Sequence, residues 1–174
     1  MKIRAALLLC TLAACASGPP EDFCAASDMN RMVWKPSFAQ EVEGYFGENR
    51  ADLYWDDGRI AEQVVEGLGG PPNPVEKLGG GLVMGSACRA HSCPERAAVI
   101  VRCPAEVVAF GVKYFKCSGS PETRCDSIPT FAIYSRTDFP HVARTALDEW
   151  VRREAREEGF APVVEYRHAS SGGP

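Results

Sequence analysis

Positive charge is in short supply in this chain: 19 lysines and arginines are outnumbered by 23 aspartates and glutamates, for a formal net charge of −4. Proteins that hold nucleic acid carry basic stripes against the phosphates, so nucleic acid is excluded as the natural partner. Long apolar runs are missing too. The longest, Ala5 to Ala14, is about half the ~20 residues that a permanent membrane helix needs. No two cysteines stand in the two-residue spacing of thiol redox enzymes. No Ser/His/Asp set, paired metal motif or phosphate-binding glycine loop can be picked out, and no internal repeat is visible. The sequence therefore points to a protein that is not an enzyme and calls for no cofactor or metal.

What is present begins with Cys88-Arg89-Ala90-His91-Ser92-Cys93. If the two cysteines are bonded, they close a small, stiff loop with His91 near its tip. A loop of this kind is a poor core element and a good probe for a cleft on another molecule. That bond needs an oxidising compartment, and the N-terminus supplies one. Lys2 and Arg4 form a basic region ahead of the Ala5 to Ala14 run, which has the length of an export signal. Leu12-Ala13-Ala14-Cys15 resembles the lipobox of bacterial lipoproteins. The resemblance implies cleavage before Cys15, lipidation of its thiol, and, with Ala16 following, sorting to the outer membrane on the periplasmic route. The expected organisation is a lipoprotein signal peptide over 1–14, a lipidated tether over 15–30, one domain over 31–168 and a flexible tail over 169–174. Loss of Lys2 and Arg4 leaves 17 basic against 23 acidic residues, a formal charge of −6. Charge of this sign speeds association with a basic protein.

Of the eight cysteines, Cys10 leaves with the signal and Cys15 takes lipid. The other six, Cys24, Cys88, Cys93, Cys103, Cys117 and Cys125, form an even set in an exported chain, which points to three disulfides. Spacing pairs Cys88 with Cys93 and Cys117 with Cys125, leaving Cys24 and Cys103 by elimination. By loop entropy a bridge closing six residues contributes about 2 kcal/mol, so its larger role is to freeze the loop.

Periodicity places the elements. Ser37 and Gln40 form a capping-box pattern after Pro36, and Phe38, Val42, Tyr45 and Phe46 share one helical face. Asp57 is read as the cap of a second helix, with Ile60, Val64, Val65 and Leu68 on one side and Gly69-Gly70-Pro71-Pro72 as its stop. Strands are expected over Gly81 to Ala87 and Ala97 to Cys103, which put the cysteine loop at a hairpin end. Val107 to Cys117 alternates, with Val108, Phe110, Val112 and Tyr114 toward the core. A turn over Ser118 to Arg124, a strand over Pro129 to Ser135, a long helix capped by Asp138 and stopped by Gly159, and an edge strand over Val163 to Arg167 complete the chain. The order argues for an α+β domain, an antiparallel sheet flanked by helices with a disulfide-closed protruding loop. Trp34, Trp55 and Trp150 read as core or core-edge residues, and Arg152, Arg153, Glu157 and Glu158 as a solvated helix face. His141 and His168 are assigned no role.

The segment Val83-Met84-Gly85-Ser86-Ala87-Cys88-Arg89-Ala90-His91-Ser92-Cys93 resembles the inhibitor of vertebrate lysozyme family, Ivy, whose signature loop reads CKPHDC after a similar strand. Cysteine spacing and histidine position agree, while Arg89-Ala90 stand in place of Lys-Pro and Ser92 in place of Asp. The similarity covers about residues 82–102. It implies a loop that protrudes from an antiparallel sheet and a histidine, here His91, that enters the active-site cleft of a c-type lysozyme. The implied contact set is Cys88, Arg89, Ala90, His91, Ser92 and Cys93, with Arg89 reaching a carboxylate or carbonyl of the cleft, and Arg96 either doing the same or holding the loop base. Two other readings stand beside it. One is a metal-binding envelope protein in which reduced Cys88 and Cys93 join His91 as ligands; the other is a structural envelope lipoprotein.

Overall fold

The computed structural model describes residues 21–117, 125–136 and 138–169. The signal, Cys15, the turn at 118–124 and the tail beyond Ala169 lie outside the described residues. The chain opens with a 3-10 turn at Phe23–Ala25, then α1 (Met29–Val33), α2 (Pro36–Phe46), the short pair β1 (Arg50–Ala51) and β2 (Gly58–Arg59), and α3 (Ile60–Gly67). The strands β3 (Glu76–Gly79), β4 (Leu82–Arg89), β5 (Ser92–Arg102), β6 (Glu106–Tyr114) and β7 (Thr130–Ser135) follow, then α4 (His141–Glu158) and β8 (Val163–His168).

Six strands form one sheet in the order β3-β4-β5-β6-β7-β8. Neighbours are antiparallel except β7 and β8, which run parallel. The exception follows from α4: a crossover helix between two strands returns the chain to the end it left, so the next strand must run in the same direction.

Both faces of the sheet are covered. On one side Val83, Val99, Phe110, Val112, Tyr114 and Tyr134 pack against Phe38, Val42, Tyr45, Phe46 and Val64 of α2 and α3. On the other, Met84, Ile100, Ala109, Phe131 and Ile133 pack against Ala143, Leu147, Trp150 and Val151 of α4. Two-sided burial is why Ala97 to Val101 reads as an unbroken apolar run, all of it at 0% exposure. Gly111 lets α4 come close, since a Cβ there would lie 2.7 Å from the Trp150 ring.

Several expectations are corrected. Val108 belongs to the α4 side, not to the face of Phe110 and Val112. The pairing Ile100 with Ala109 but Val101 with Val107 marks a bulge, and one extra residue turns its side chain over. None of the three expected helix caps is used. The N-cap residues are Lys35, Arg59 and Pro140, none with a side-chain cap bond. Pro36 instead starts α2 at its first turn, where a proline needs no donor. Asp57 sits at φ +46 in the β1–β2 turn and pairs with Arg50, so β2 intervenes before the helix. Gly159 does end α4, in the left-handed region. Trp34 and Trp55 are not core residues, at 73% and 38% exposure, whereas Trp150 is fully buried. Glu158 is not merely solvated, for it pairs with Lys113, which is fully buried, and Arg153 reaches Glu76 at 3.2 Å.

The folded body begins ahead of residue 31, because Phe23 and Met29 are fully buried and Cys24 is bonded to Cys103. At the other end Ala169 is buried and donates its N–H to the Ser135 carbonyl at 2.9 Å.

Trp150→Ala should destabilise the domain by about 3–5 kcal/mol. Urea unfolding checks this, with a lower midpoint expected at unchanged slope.

Candidate functional site

The strand pair β4–β5 carries the cysteine loop at its tip. Cys88 lies opposite Arg96 and Arg89 opposite Ser92, so Ala90 and His91 make a two-residue turn while Cys93, Pro94 and Glu95 bulge from β5. His91 sits at φ +63, a conformation in which histidine is enriched among non-glycine residues, and its side chain is exposed. The Cys88–Cys93 bridge spans the bulge with Cα atoms 4.6 Å apart and ties the turn to the buried end of β4, where Cys88 is 4% exposed. The sequence-predicted loop residues are thus together, with His91 outermost and Cys88 at the root.

The root is braced from outside by residues that the sequence offered only as a helix stop. The Gly70 N–H donates to the Cys88 carbonyl at 2.9 Å, the Cys88 N–H donates to the Pro71 carbonyl at 3.1 Å, and the Asn73 N–H donates to the Ser86 carbonyl at 2.8 Å. The Asn73 amide also donates to the Ser86 hydroxyl at 2.9 Å. Gly70 is required by closeness: a Cβ there would stand 2.5 Å from the Cys88 carbonyl oxygen. A Gly-Gly-Pro-Pro run can signal such a strap, but only its proximity to β4 identifies it.

Arg89 does not reach outward. Its guanidinium bonds the Glu95 carboxylate at 2.6 Å, lies 3.8 Å from Glu66, and stacks over the rings of Tyr54 and Trp55 at 5.0 and 5.8 Å. Four groups from three separate segments therefore hold it against the body, and it props the loop instead of extending it. Arg96 likewise holds the base. Its Nε is 3.1 Å from Glu154, and its carbonyl accepts from the Tyr54 hydroxyl at 2.9 Å. Burial pushes the Tyr54 phenol well above its ordinary range, so that hydroxyl stays a donor. Glu154 also faces Lys113 at 3.6 Å; burial raises its carboxyl above the usual range, against the pull of Arg96 and Lys113. Tyr54, Glu66, Gly70 and Glu95 all escaped sequence reasoning, because nothing in their spacing ties them to the loop.

Cys117 and Cys125 are bonded, with Cα atoms 3.9 Å apart, where β6 leaves the sheet and β7 enters. Since Tyr114 pairs with Thr130 and Lys113 with Arg96, this bridge is at the same end of the sheet as His91. A cleft of about 350 Å³ lies beside it, lined by Tyr54, Trp55, Tyr114, Phe115 and Arg167. The Cys24–Cys103 bridge is at the opposite end, next to the pairing of Leu82 with Arg102. With Cys88 and Cys93 joined, the thiolate pair that the metal reading requires is not available in this structure, and among the described residues no cluster of His, Cys, Asp and Glu could hold a metal ion.

The family model for the inhibitor of vertebrate lysozyme (Ivy) matches residues 57–153, a span that takes in α3, the braced hairpin and most of α4. The match covers more than half of the chain, which belongs to that family. No curated protein and no solved structure matches it.

Gly70→Ala should push the 70–73 strap off β4. The amide protons of Gly70 and Cys88 would then exchange at least tenfold faster than in the wild type, the equivalent of about 1.4 kcal/mol of local opening. Hydrogen exchange read by NMR measures both amides directly.

Proposed function

We propose that this member of the inhibitor of vertebrate lysozyme family stops a c-type lysozyme by lodging the Cys88–Cys93 turn in its active-site cleft, with His91 foremost. The observation that carries the reading is His91 itself: an exposed imidazole at a left-handed turn, three residues from a root, Cys88, tied by a disulfide and by main-chain hydrogen bonds on its outer edge.

Lysozyme works with two carboxyl groups flanking the scissile bond, one of them held protonated as the acid. An imidazole placed between them donates to one or both and fills the space that a sugar ring needs. Hydrogen bonds to charged groups contribute about 1.5–3 kcal/mol. No chemistry is done by the inhibitor in this scheme; it occupies the site. Stiffness matters because a loop already held in its docked shape loses little entropy on binding. The family pattern stiffens the turn with a proline, where this chain has Ala90. Here the ion pair of Arg89 with Glu95, its stacking on Tyr54 and the strap at Gly70 supply the stiffness. Arg89 thus acts through the loop's shape, and the contact surface narrows to Ala90, His91, Ser92 and the exposed Cys93. The negative charge of the chain favours approach to a basic enzyme.

Export with lipidation at Cys15 would place this domain in the periplasm, held at the outer membrane, where it would meet a lysozyme entering the envelope. Each buried methylene of the acyl chains would contribute about 0.8 kcal/mol to that anchoring.

The oxidised domain should slow cell-wall lysis by a c-type lysozyme. His91→Ala should weaken inhibition roughly ten- to hundredfold, matching the loss of one charge-assisted hydrogen bond. Lysis at the uninhibited rate in the presence of the oxidised wild-type domain would sink the proposal and leave the structural-lipoprotein reading.

A further inference from the structure

The exposed indole of Trp34 stands apart from everything used so far. It is 73% exposed, the most exposed large apolar side chain among the described residues, at the C-terminal end of α1. Its surroundings are those of the chain's entry into the fold. Lys35, the next residue, donates from Nζ to the Asp22 carbonyl at 3.1 Å and lies over the Phe23 ring at 6.0 Å. The Phe23 N–H donates to the Pro104 carbonyl at 2.8 Å, and Cys24 is bonded to Cys103. Trp34 therefore belongs to the end of the sheet where β5 finishes, and the hairpin of His91 is at the other. Six residue steps of β4, from Leu82 to Cys88, separate the two ends by about 20 Å.

We infer that the Trp34 end of the molecule is a bilayer-facing surface, with the indole seated at the headgroup level of a phospholipid membrane and the His91 loop aimed away from it. This rests on the proposed lipidation of Cys15. Six residue steps separate Cys15 from Glu21, the first described residue, so the lipid can be no more than about 20 Å from the point where the chain joins the fold. A tether that short keeps the end bearing Trp34 close to the bilayer surface. Tryptophan suits that position, because its ring is apolar while its N–H still finds polar partners, and it is enriched at membrane–water interfaces. Arg31, with a side chain 72% exposed and 3.7 Å from Asp28, adds a cation on the same short helix. The arrangement explains why an exposed tryptophan is tolerated there. It also leaves the loop free: a plug meant for a soluble enzyme must point away from the surface that anchors it.

The test uses the full chain, exported by a bacterial host and reconstituted in vesicles of phosphatidylethanolamine and phosphatidylglycerol, part of the former with brominated acyl chains. Bromine quenches a tryptophan that reaches the acyl boundary, and Trp55, at the loop end, serves as the internal control. Wild type and Trp55→Phe should be quenched, quenching should be lost in Trp34→Phe, and vesicle-bound protein should inhibit lysozyme as well as protein in detergent. Quenching lost in Trp55→Phe but kept in Trp34→Phe would invert the orientation and overturn the inference. So would an absence of quenching in chains whose mass shows lipid on Cys15, the result expected if a second copy of the chain covered Trp34. A mass without lipid would overturn it through its premise, while the inhibition assay on the same sample still judges the lysozyme reading separately.

Discussion

Cys88 joins the two mechanical parts of this molecule. Its main chain is the last buried stretch of β4, gripped by Gly70 and Pro71 on one edge and by β5 on the other. Its sulfur closes the loop that carries His91. A turn of two residues has little stiffness of its own, so whatever rigidity the tip has is inherited from this residue. The sheet beneath is fixed by burial on both faces, and that burial reaches the loop through only one strand pair. A single residue bonded on three sides is how the order of a core is carried to an exposed tip.

Arg89 illustrates how the surroundings convert a residue from one role to another. On an isolated turn its guanidinium would be a natural hand for a partner's carboxylate. Here two carboxylates and two aromatic faces of its own protein compete for it, and they are already in place, at no cost in translational freedom. The side chain folds back and the loop becomes a braced wedge with a histidine edge. The same logic runs beneath it, where Arg96, Lys113, Glu154 and Glu158 tie β5 and β6 to α4. Ion pairs this deep add little net stability, but loss of one partner would leave the other's charge buried and uncompensated.

Much of the sheet was legible from period-two alternation and apolar runs. β6 follows the alternation and departs only where the bulge turns Val108 over, while the strands on either side of the cysteines read as short apolar runs because both faces of the sheet are covered. Helices were legible as faces but not as beginnings. Phe38, Val42, Tyr45 and Phe46 face the core as their spacing implies, while the expected caps at Ser37, Asp57 and Asp138 are unused. Capping side chains are short and local, and they lose to whichever extended residue, Lys35, Arg59 or Pro140, the preceding chain path delivers to the helix start. Trp34 misled for a related reason, since ring size argues for burial only when a neighbouring element arrives to cover it.

The sequence by itself determined the parts whose chemistry is covalent or local in pattern: the cysteine spacing that can close a six-residue loop, the place of His91 within it, the apolar runs that build strands on either side, and the alternation of β6. Those properties depend on neighbours along the chain and survive any change of surroundings. Tertiary structure alone decided which way Arg89 points, that Gly70 to Asn73 strap the root of the hairpin, and that the chain's entry and its probe lie at opposite ends of one sheet. Each of these is settled by groups brought together from distant positions, where distance and competition among partners choose the outcome and no local pattern encodes it.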